Sequence, residues 1–218
     1  MRIYLNNNVW DEALERIRWL FDEFDNVVVS TSGGKDSAVI LNLALIVAKE
    51  KNRLPLKVMF LDQEAEWQAT IDYMRIIMND DRVEPVWIQS PFKIFNTTSI
   101  KEPWLHCWEE GGEWLREKED ISIHDNNFNT DRFAKMFPAI MEWLFPDESA
   151  CFIAGVRAEE SPRRLAGMTL EATYKHATWG KVLNGNLKQY TFYPIYDWKT
   201  SDVWKAIQDN KWVYNLLK

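Results

Sequence analysis

Hydrophobic and polar positions change period along the chain, and the changes mark its elements. Trp10, Ala13, Leu14, Ile17, Leu20, Phe21 and Phe24 recur at helical spacing. Asn8 precedes them, a residue suited to cap a helix over Val9–Phe24. Val27-Val28-Val29 has the composition of a buried parallel strand and is too short for a helix. After Gly33-Gly34, DSAVILNLALIVAKE gives a helix pattern with Asp36 in its first turn, where the macrodipole favours an acid. Lys57 to Asp62 is a second buried strand ending on an acid, and Gln63 to Met78 follows as a helix with Trp67, Ile71, Met74 and Met78 on one side. Pro85 to Ile88 makes a third strand. Strand, helix, strand, helix, strand demands right-handed crossovers and a parallel sheet.

The rhythm breaks between Ser90 and Ser149. That stretch holds the acidic, Trp-rich KEPWLHCWEEGGEWLREKED, a polar IHDNNFNT, and then DRFAKMFPAIMEWLF with Phe133, Phe137, Ile140 and Leu144 at helical spacing. Pro138 is expected to kink this helix or start a second one. The stretch reads as a mostly helical insertion that covers a cleft or binds a protein partner. Ala150 to Ala154 is a fourth strand. Towards the end, Thr200 or Ser201 caps a short helix with Val203, Trp204 and Ile207 turned inward. The expected fold is α/β, a single domain with a Rossmann-like, doubly wound, mainly parallel five-stranded sheet and helices on both faces.

Composition narrows the picture. At 218 residues, with 46% hydrophobic and 27% charged positions, one soluble domain with ample core is expected. Cys107 and Cys151 are the two cysteines, which suits a reducing, cytoplasmic setting and rules out a disulfide scaffold. The longest apolar stretch, Ala38 to Ala48, is interrupted by Asn42 and too short to cross a bilayer. Arg2, Tyr4, Leu5 and three asparagines after Met1 lack the apolar core of a leader. A net charge of −7 argues against a broad nucleic-acid-binding face. The charge is uneven, with eight acids and two bases in Glu102–Asp125 against six bases and three acids in Gly155–Tyr190. The second stretch is therefore the candidate anion-handling half. No CxxC or HxxxH spacing accompanies His106-Cys107, so no zinc or iron–sulfur site is expected.

The chemistry concentrates in SGGKDS. A strand, a glycine turn and a helix start aim free backbone N–H groups at one point, a ready anion site. Lys35 adds charge and the hydroxyls of Ser32 and Ser37 add donors, so Ser32, Gly33, Gly34, Lys35, Asp36 and Ser37 form a candidate phosphate cradle. G-x-x-x-x-G-K-[ST] cannot be laid over it. Asp62, at the carboxyl end of a strand, is a candidate for ribose, adenine or magnesium contact, or merely a cap for the next helix. In GVRAEESPRR, Gly155, Arg157, Ser161, Arg163 and Arg164 suit a second anion site, since the guanidinium fork matches phosphate or sulfate oxygens. The alternative is a helix start laced with Arg–Glu pairs.

VVVSTSGGKDS resembles the PP-loop signature of the ATP pyrophosphatases and their relatives, the phosphoadenylyl-sulfate (PAPS) reductases and ATP-sulfurylase small subunits. GVRAEESPRR resembles the second, arginine-rich motif of the reductase and sulfurylase group, and YPIYDW followed by SDVW resembles the segment that closes its nucleotide domain. The resemblance implies an adenine nucleotide ligand, ATP or PAPS, with Mg2+ accompanying ATP. It also implies cleavage between the α and β phosphates, pyrophosphate release and adenylyl transfer, with Lys35, Arg157 and Arg163 as the catalytic charges. The glycine turn would hold the β and γ phosphates, and the arginines the α-phosphate side or a sulfate. Reductases of this family use a cysteine-bearing tail, whereas no cysteine lies beyond Cys151 here. Sulfonucleotide reduction or sulfur transfer is therefore the second reading. A nucleotide-binding regulator or transcriptional coactivator, contacting its partner through the Trp-rich insertion, is the third. A homo-oligomer is compatible with all three.

Overall fold

Each of the first three strands is β-branched or aromatic and is followed by a helix or loop that returns the chain to the same edge, so the sheet grows parallel. The computed structural model describes residues 6–168 and 173–215. The leader reading at Met1–Leu5 and four residues of the basic stretch fall outside them. In order come α1 (Val9–Glu23), β1 (Asn26–Ser30), α2 (Lys35–Glu50), β2 (Leu56–Leu61), α3 (Gln68–Met78) and β3 (Val83–Ile88). The insertion follows with β4 (Phe92–Phe95), β5 (Trp104–Cys107) and α4 (Phe133–Leu144). The chain continues through β6 (Ala150–Ala154), α5 (Pro162–Gly167), β7 (Gly180–Asn184), β8 (Gln189–Phe192) and α6 (Thr200–Asn210). The main sheet runs β3-β2-β1-β6-β8-β7. All its pairings are parallel except β7 with β8. Strand order therefore reverses between β1 and β6, which pair in register from Asn26↔Ala150 to Ser30↔Ala154.

Burial alternates along the central strands and assigns the two layers. Val27 and Val29 of β1, Val58 and Phe60 of β2, and Cys151 and Ile153 of β6 pack with α1, α2, α3 and α6. Val28, Met59, Leu61 and Phe152 face the other way, onto Phe92, Trp108, Phe128, Met136 and Ile140 of the insertion. A parallel sheet needs cover on both faces. Four helices lie on one side, so the insertion is the second layer. It also covers an edge: the N–H of Gln89 donates to the Ile123 carbonyl at 3.0 Å, and that of Ile123 to the Trp87 carbonyl at 2.7 Å.

The expected α/β class holds, with four corrections. The sheet has six strands, because the polar-faced Gly180–Asn184 adds an antiparallel edge. The insertion is not mostly helical: a hairpin and irregular chain precede α4, which alone is helical and keeps Pro138 inside one helix. The third helix starts at Gln68, because Asp62 Oδ1 accepts the Glu64 N–H at 2.9 Å and Glu64 adopts φ 63°, making a turn of the intervening residues. Helix α6 is capped at Lys199, where the Asp202 carboxylate accepts the Lys199 N–H at 2.7 Å, and not by Thr200 or Ser201. Asn8 does cap α1, accepting from the Trp10 N–H. Among the described residues no helix is long and apolar enough to cross a membrane.

Candidate functional site

The point where strand order reverses is where an open α/β sheet leaves a crevice. There the turn after β1 is tightly specified. Gly33 has φ +69°, and a Cβ on it would stand 2.7 Å from the Thr70 methyl. Thr31 Oγ1 accepts the Gly33 N–H, and Ser37 Oγ accepts the Ser32 N–H, both at 3.2 Å. The Ser32 and Ser37 hydroxyls lie 3.0 Å apart. Gly34 is the N-cap of the 16-residue α2 and no side chain caps it. A Cβ on Gly34 would meet nothing nearer than Ser32 Oγ at 3.5 Å, so the helix start is open to a ligand. Gly155, at the end of β6, works differently. Its missing Cβ would lie 2.5 Å from the Asp36 carbonyl oxygen, so glycine lets β6 exit against the first turn of α2.

A cleft of about 530 Å³ opens over this turn. Ser32, Gly34, Asp36, Ser37, Gly155 and Arg164 line it, as the sequence leads one to expect. The remaining candidates do not. Lys35 lies outside the lining, with Nζ 3.2 Å from Asp36 Oδ2. Arg157 is buried: Nε–H donates to Asp36 Oδ1, and Nη1 to Glu159 at 3.1 Å, while Glu160 accepts its backbone N–H. Held by these carboxylates it lies outside the cleft lining and acts as an internal strut between the turn after β1 and the segment after β6, where the sequence led one to expect a phosphate ligand. Arg163 is exposed on α5 and also off the cleft, and Ser161 is that helix's cap, accepting the Arg164 N–H at 3.2 Å. Asp62 is fully buried and accepts from Trp87 Nε1 (2.8 Å), Gln89 Nε2 (3.0 Å), the Glu64 N–H and Arg116. With its lone pairs taken, it anchors the insertion and caps a turn. It lies outside the cleft lining.

Other residues complete the walls. Arg164, paired with Glu160, and Lys181 on β7 supply the cations that line the cleft. Burial pushes the Tyr193 phenol up, and Arg164 pulls it the other way. Phe133 and Phe137 of α4 form an apolar side. Their spacing in the sequence showed an amphipathic helix but not which face meets the cleft. Lys181 carries no sequence signal, being one lysine in a polar hairpin. Neither thiol reaches the site. Burial pushes Cys107 up to about 12, with Glu64 and Asp62 adding to it, and burial also raises the wholly enclosed Cys151.

An open helix start at the switch point of a parallel sheet, flanked by hydroxyls and cations, is the geometry of a candidate anion site in a Rossmann-like α/β fold. Residues 26–218 match the phosphoadenosine phosphosulfate reductase domain, and the chain belongs to that family, within the PP-loop superfamily. It is 32% identical over 230 residues to the uncharacterized protein YbdN of Escherichia coli (strain K12), covering 99% of this chain and 55% of that protein. It is 30% identical over 188 residues to the uncharacterized protein MJ0973 of Methanocaldococcus jannaschii, covering 86% of this chain and 37% of that one. The chain thus spans about half or less of the length of these curated relatives. Among solved structures, FMN adenylyltransferase of Candida glabrata shares the fold with a TM-score of 0.56 at 11% identity, over 99% of this chain and 61% of that one. Its complex with FMN and the ATP analogue AMPCPP gives 0.54 at 13% identity, over 95% and 60%.

Proposed function

We infer that the cleft binds an adenine nucleotide with its phosphates on the Ser32–Ser37 turn. With ATP, the protein transfers the adenylyl group to an acceptor and releases pyrophosphate. The observation that carries this reading is the uncapped start of α2 beneath the cleft, where an anion meets first-turn N–H groups and the positive end of the macrodipole. The acceptor's oxygen attacks the α-phosphorus. The bond from that phosphorus to the oxygen bridging to the β-phosphate breaks, and its electron pair leaves with pyrophosphate.

The protein's part is positioning and charge. The α2 start and the Ser32 and Ser37 hydroxyls hold the leaving phosphates, Lys35 turns from Asp36 onto them, and Arg164 and Lys181 face the α-phosphate side. Magnesium enters as the salt of ATP and so belongs to the substrate. Among the described residues, no group of three or more His, Cys, Asp or Glu side chains is assembled to hold it separately. The fold shared with an adenylyltransferase supports the reading by analogy. Reduction of a sulfonucleotide needs an attacking thiolate, and both thiols of this chain are buried away from the cleft.

A second reading, binding without turnover, is favoured by one observation: Lys35, Arg157 and Arg164 are each already engaged by a carboxylate. Calorimetric titration of ATP and PAPS into the parent and Lys35→Ala, with a pyrophosphate-release assay alongside, tests both. Lys35→Ala is expected to weaken binding by roughly tenfold or more, as loss of a charged hydrogen bond does. Unchanged affinity would remove the phosphate cradle. Firm ATP binding without pyrophosphate release across acceptors would leave the second reading.

A further inference from the structure

The glycine turn after β1 is buttressed from behind. Gly33 holds φ +69°, and the place of its missing side chain is filled from α3: the Thr70 methyl lies 2.7 Å from an ideal Cβ and Met74 Sδ 3.7 Å from it. The first turn of that helix therefore packs against the turn. Thr70 is itself fully buried, and its hydroxyl accepts from Asn215 Nδ2 at 2.9 Å, across 145 residues of sequence. The segment that follows α6 is thereby joined to Gly33 through one side chain.

Lys211 closes α6 in the left-handed conformation, and the Trp212 N–H donates to the Ile207 carbonyl at 3.1 Å. Trp212 then stacks on Trp10 of α1 at 5.7 Å and 20°, and Tyr214 meets Trp204 edge to face at 5.3 Å and 81°. Of residues 211–215 only Asn215 is buried, at 2% exposure. A buried amide is tolerated where its hydrogen bonds are made, and such bonds are directional. A helical threonine divides between two rotamers. Hydroxyl and methyl share one Cβ, so the bond that holds the Thr70 hydroxyl on Asn215 also holds the methyl on Gly33.

We propose that Asn215 is a positioning residue for the glycine turn, acting through Thr70, and that residues 211–215 and a nucleotide on the turn stabilise one another. The inference rests on the turn holding the nucleotide's phosphates. With Thr70 held, Gly33 is backed in the left-handed conformation that presents the α2 start to an anion. With the segment displaced, Thr70 is released to its second rotamer, which turns the methyl off Gly33, and the turn loosens. Linkage makes the effect mutual: whatever withdraws the segment weakens nucleotide binding, and the nucleotide holds the segment down by the same factor.

The test is calorimetric titration of ATP into the parent, Asn215→Leu, Thr70→Val and the double variant, with thermal unfolding beside it. Asn215→Leu is expected to weaken ATP by roughly fivefold or more in the folded protein. Thr70→Val keeps a methyl on Gly33 without needing Asn215, so it should bind within about twofold of the parent. The double variant replaces both polar partners with apolar ones of like shape and should recover the affinity. A bond that only stabilised the fold would shift the thermal midpoints and leave all four affinities together. In the parent, ATP should also slow hydrogen exchange in residues 211–215, a measurement that needs no variant. Unchanged affinity in Asn215→Leu, with Lys35→Ala still weakened, would overturn the coupling and leave the phosphate turn standing. A loss that the double variant does not recover, or exchange at 211–215 that ignores ATP, would overturn it equally. Failure of ATP to bind the parent would remove the turn's reading and the coupling together.

Discussion

Arg157 Nε donates to Asp36 Oδ1 across 121 residues of sequence, and the two side chains are only 4% and 12% exposed. This buried pair joins the turn after β1 to the segment after β6, the two halves of the crevice. Removing one partner leaves the other's charge in a low-dielectric setting. Arg157→Ala is expected to lower unfolding stability by roughly 3–5 kcal/mol. The double variant Asp36→Asn, Arg157→Met, which removes both charges of the buried pair, should recover much of the loss. Urea unfolding of the three proteins decides it. An Arg157→Ala protein as stable as its parent would mean that the guanidinium serves a ligand after all.

The two glycines that face the α2 start should separate stability from binding. Gly155→Ala places a methyl 2.5 Å from the Asp36 carbonyl oxygen, a backbone atom that cannot rotate away. A loss of about 1–3 kcal/mol is expected, as for other overpacked sites. Gly34→Ala meets nothing closer than 3.5 Å and should cost under about 1 kcal/mol, the scale of a cap substitution. Its methyl nonetheless stands where an anion would approach. Thermal unfolding and ATP titration on both variants should show the larger stability loss in the first and the larger affinity loss in the second.

Much of this was legible from local pattern, and the misses share a cause. Val27–Val29, the Asn8 cap and Ala150–Ala154 declare themselves because a buried strand or a cap depends on neighbouring residues alone. The glycine turn is legible too, since its use lies in its backbone. The engagement of Arg157 was not legible because Asp36 claims it from another strand's end, whereas the Glu160–Arg164 pair, four residues apart, lay within the alternative of a helix start laced with Arg–Glu pairs. Likewise β7 is an edge strand with exposed Lys181 and Val182, so it lacks the apolar run that marks a central strand. The hairpin of β4 and β5 depends on cross-strand pairs such as Ile94↔Leu105, which no periodicity reveals.

The buried thiol sets an alkaline limit. Cys107 is raised from 9.0 to about 12 by burial first, and then by Glu64 and Asp62. In the unfolded chain it loses its proton near 9.0, and in the folded chain only near 12. Between these values the unfolded state binds fewer protons, so stability present below the lower value falls as pH rises towards the upper one. Burial raises Cys151 and Tyr73 in the same direction. Urea midpoints across that window are expected to fall with pH, and less steeply in Cys107→Ala. A flat profile would show that the thiol is not enclosed. Alkylation at neutral pH should be slow in the native protein and quick in denaturant.

Asp62 gives the last expectation, because its environment assigns it to the scaffold. It accepts from Trp87 and Gln89 on the neighbouring strand's end and from Arg116 in the insertion, whose guanidinium lies over the Trp108 ring and whose buried Nε and Nη1 have no hydrogen-bond partner among the described residues. Trp108 adds a bond from Nε1 to the Asp62 carbonyl at 2.8 Å, and Glu64 accepts the Trp108 and Leu115 N–H groups. Asp62→Ala removes the charge that Arg116 needs and is expected to cost roughly 3–5 kcal/mol. Adding Arg116→Met should return part of it. Asp62→Asn keeps the shape and one acceptor, and a loss of about 1–3 kcal/mol is expected. Limited proteolysis should cut Asp62→Asn faster between Trp108 and Glu119, where the anchors act, while ATP affinity stays within about twofold of the parent. A folded Asp62→Asn protein with parental protease resistance and a large loss of ATP affinity would instead place the carboxylate on the ligand.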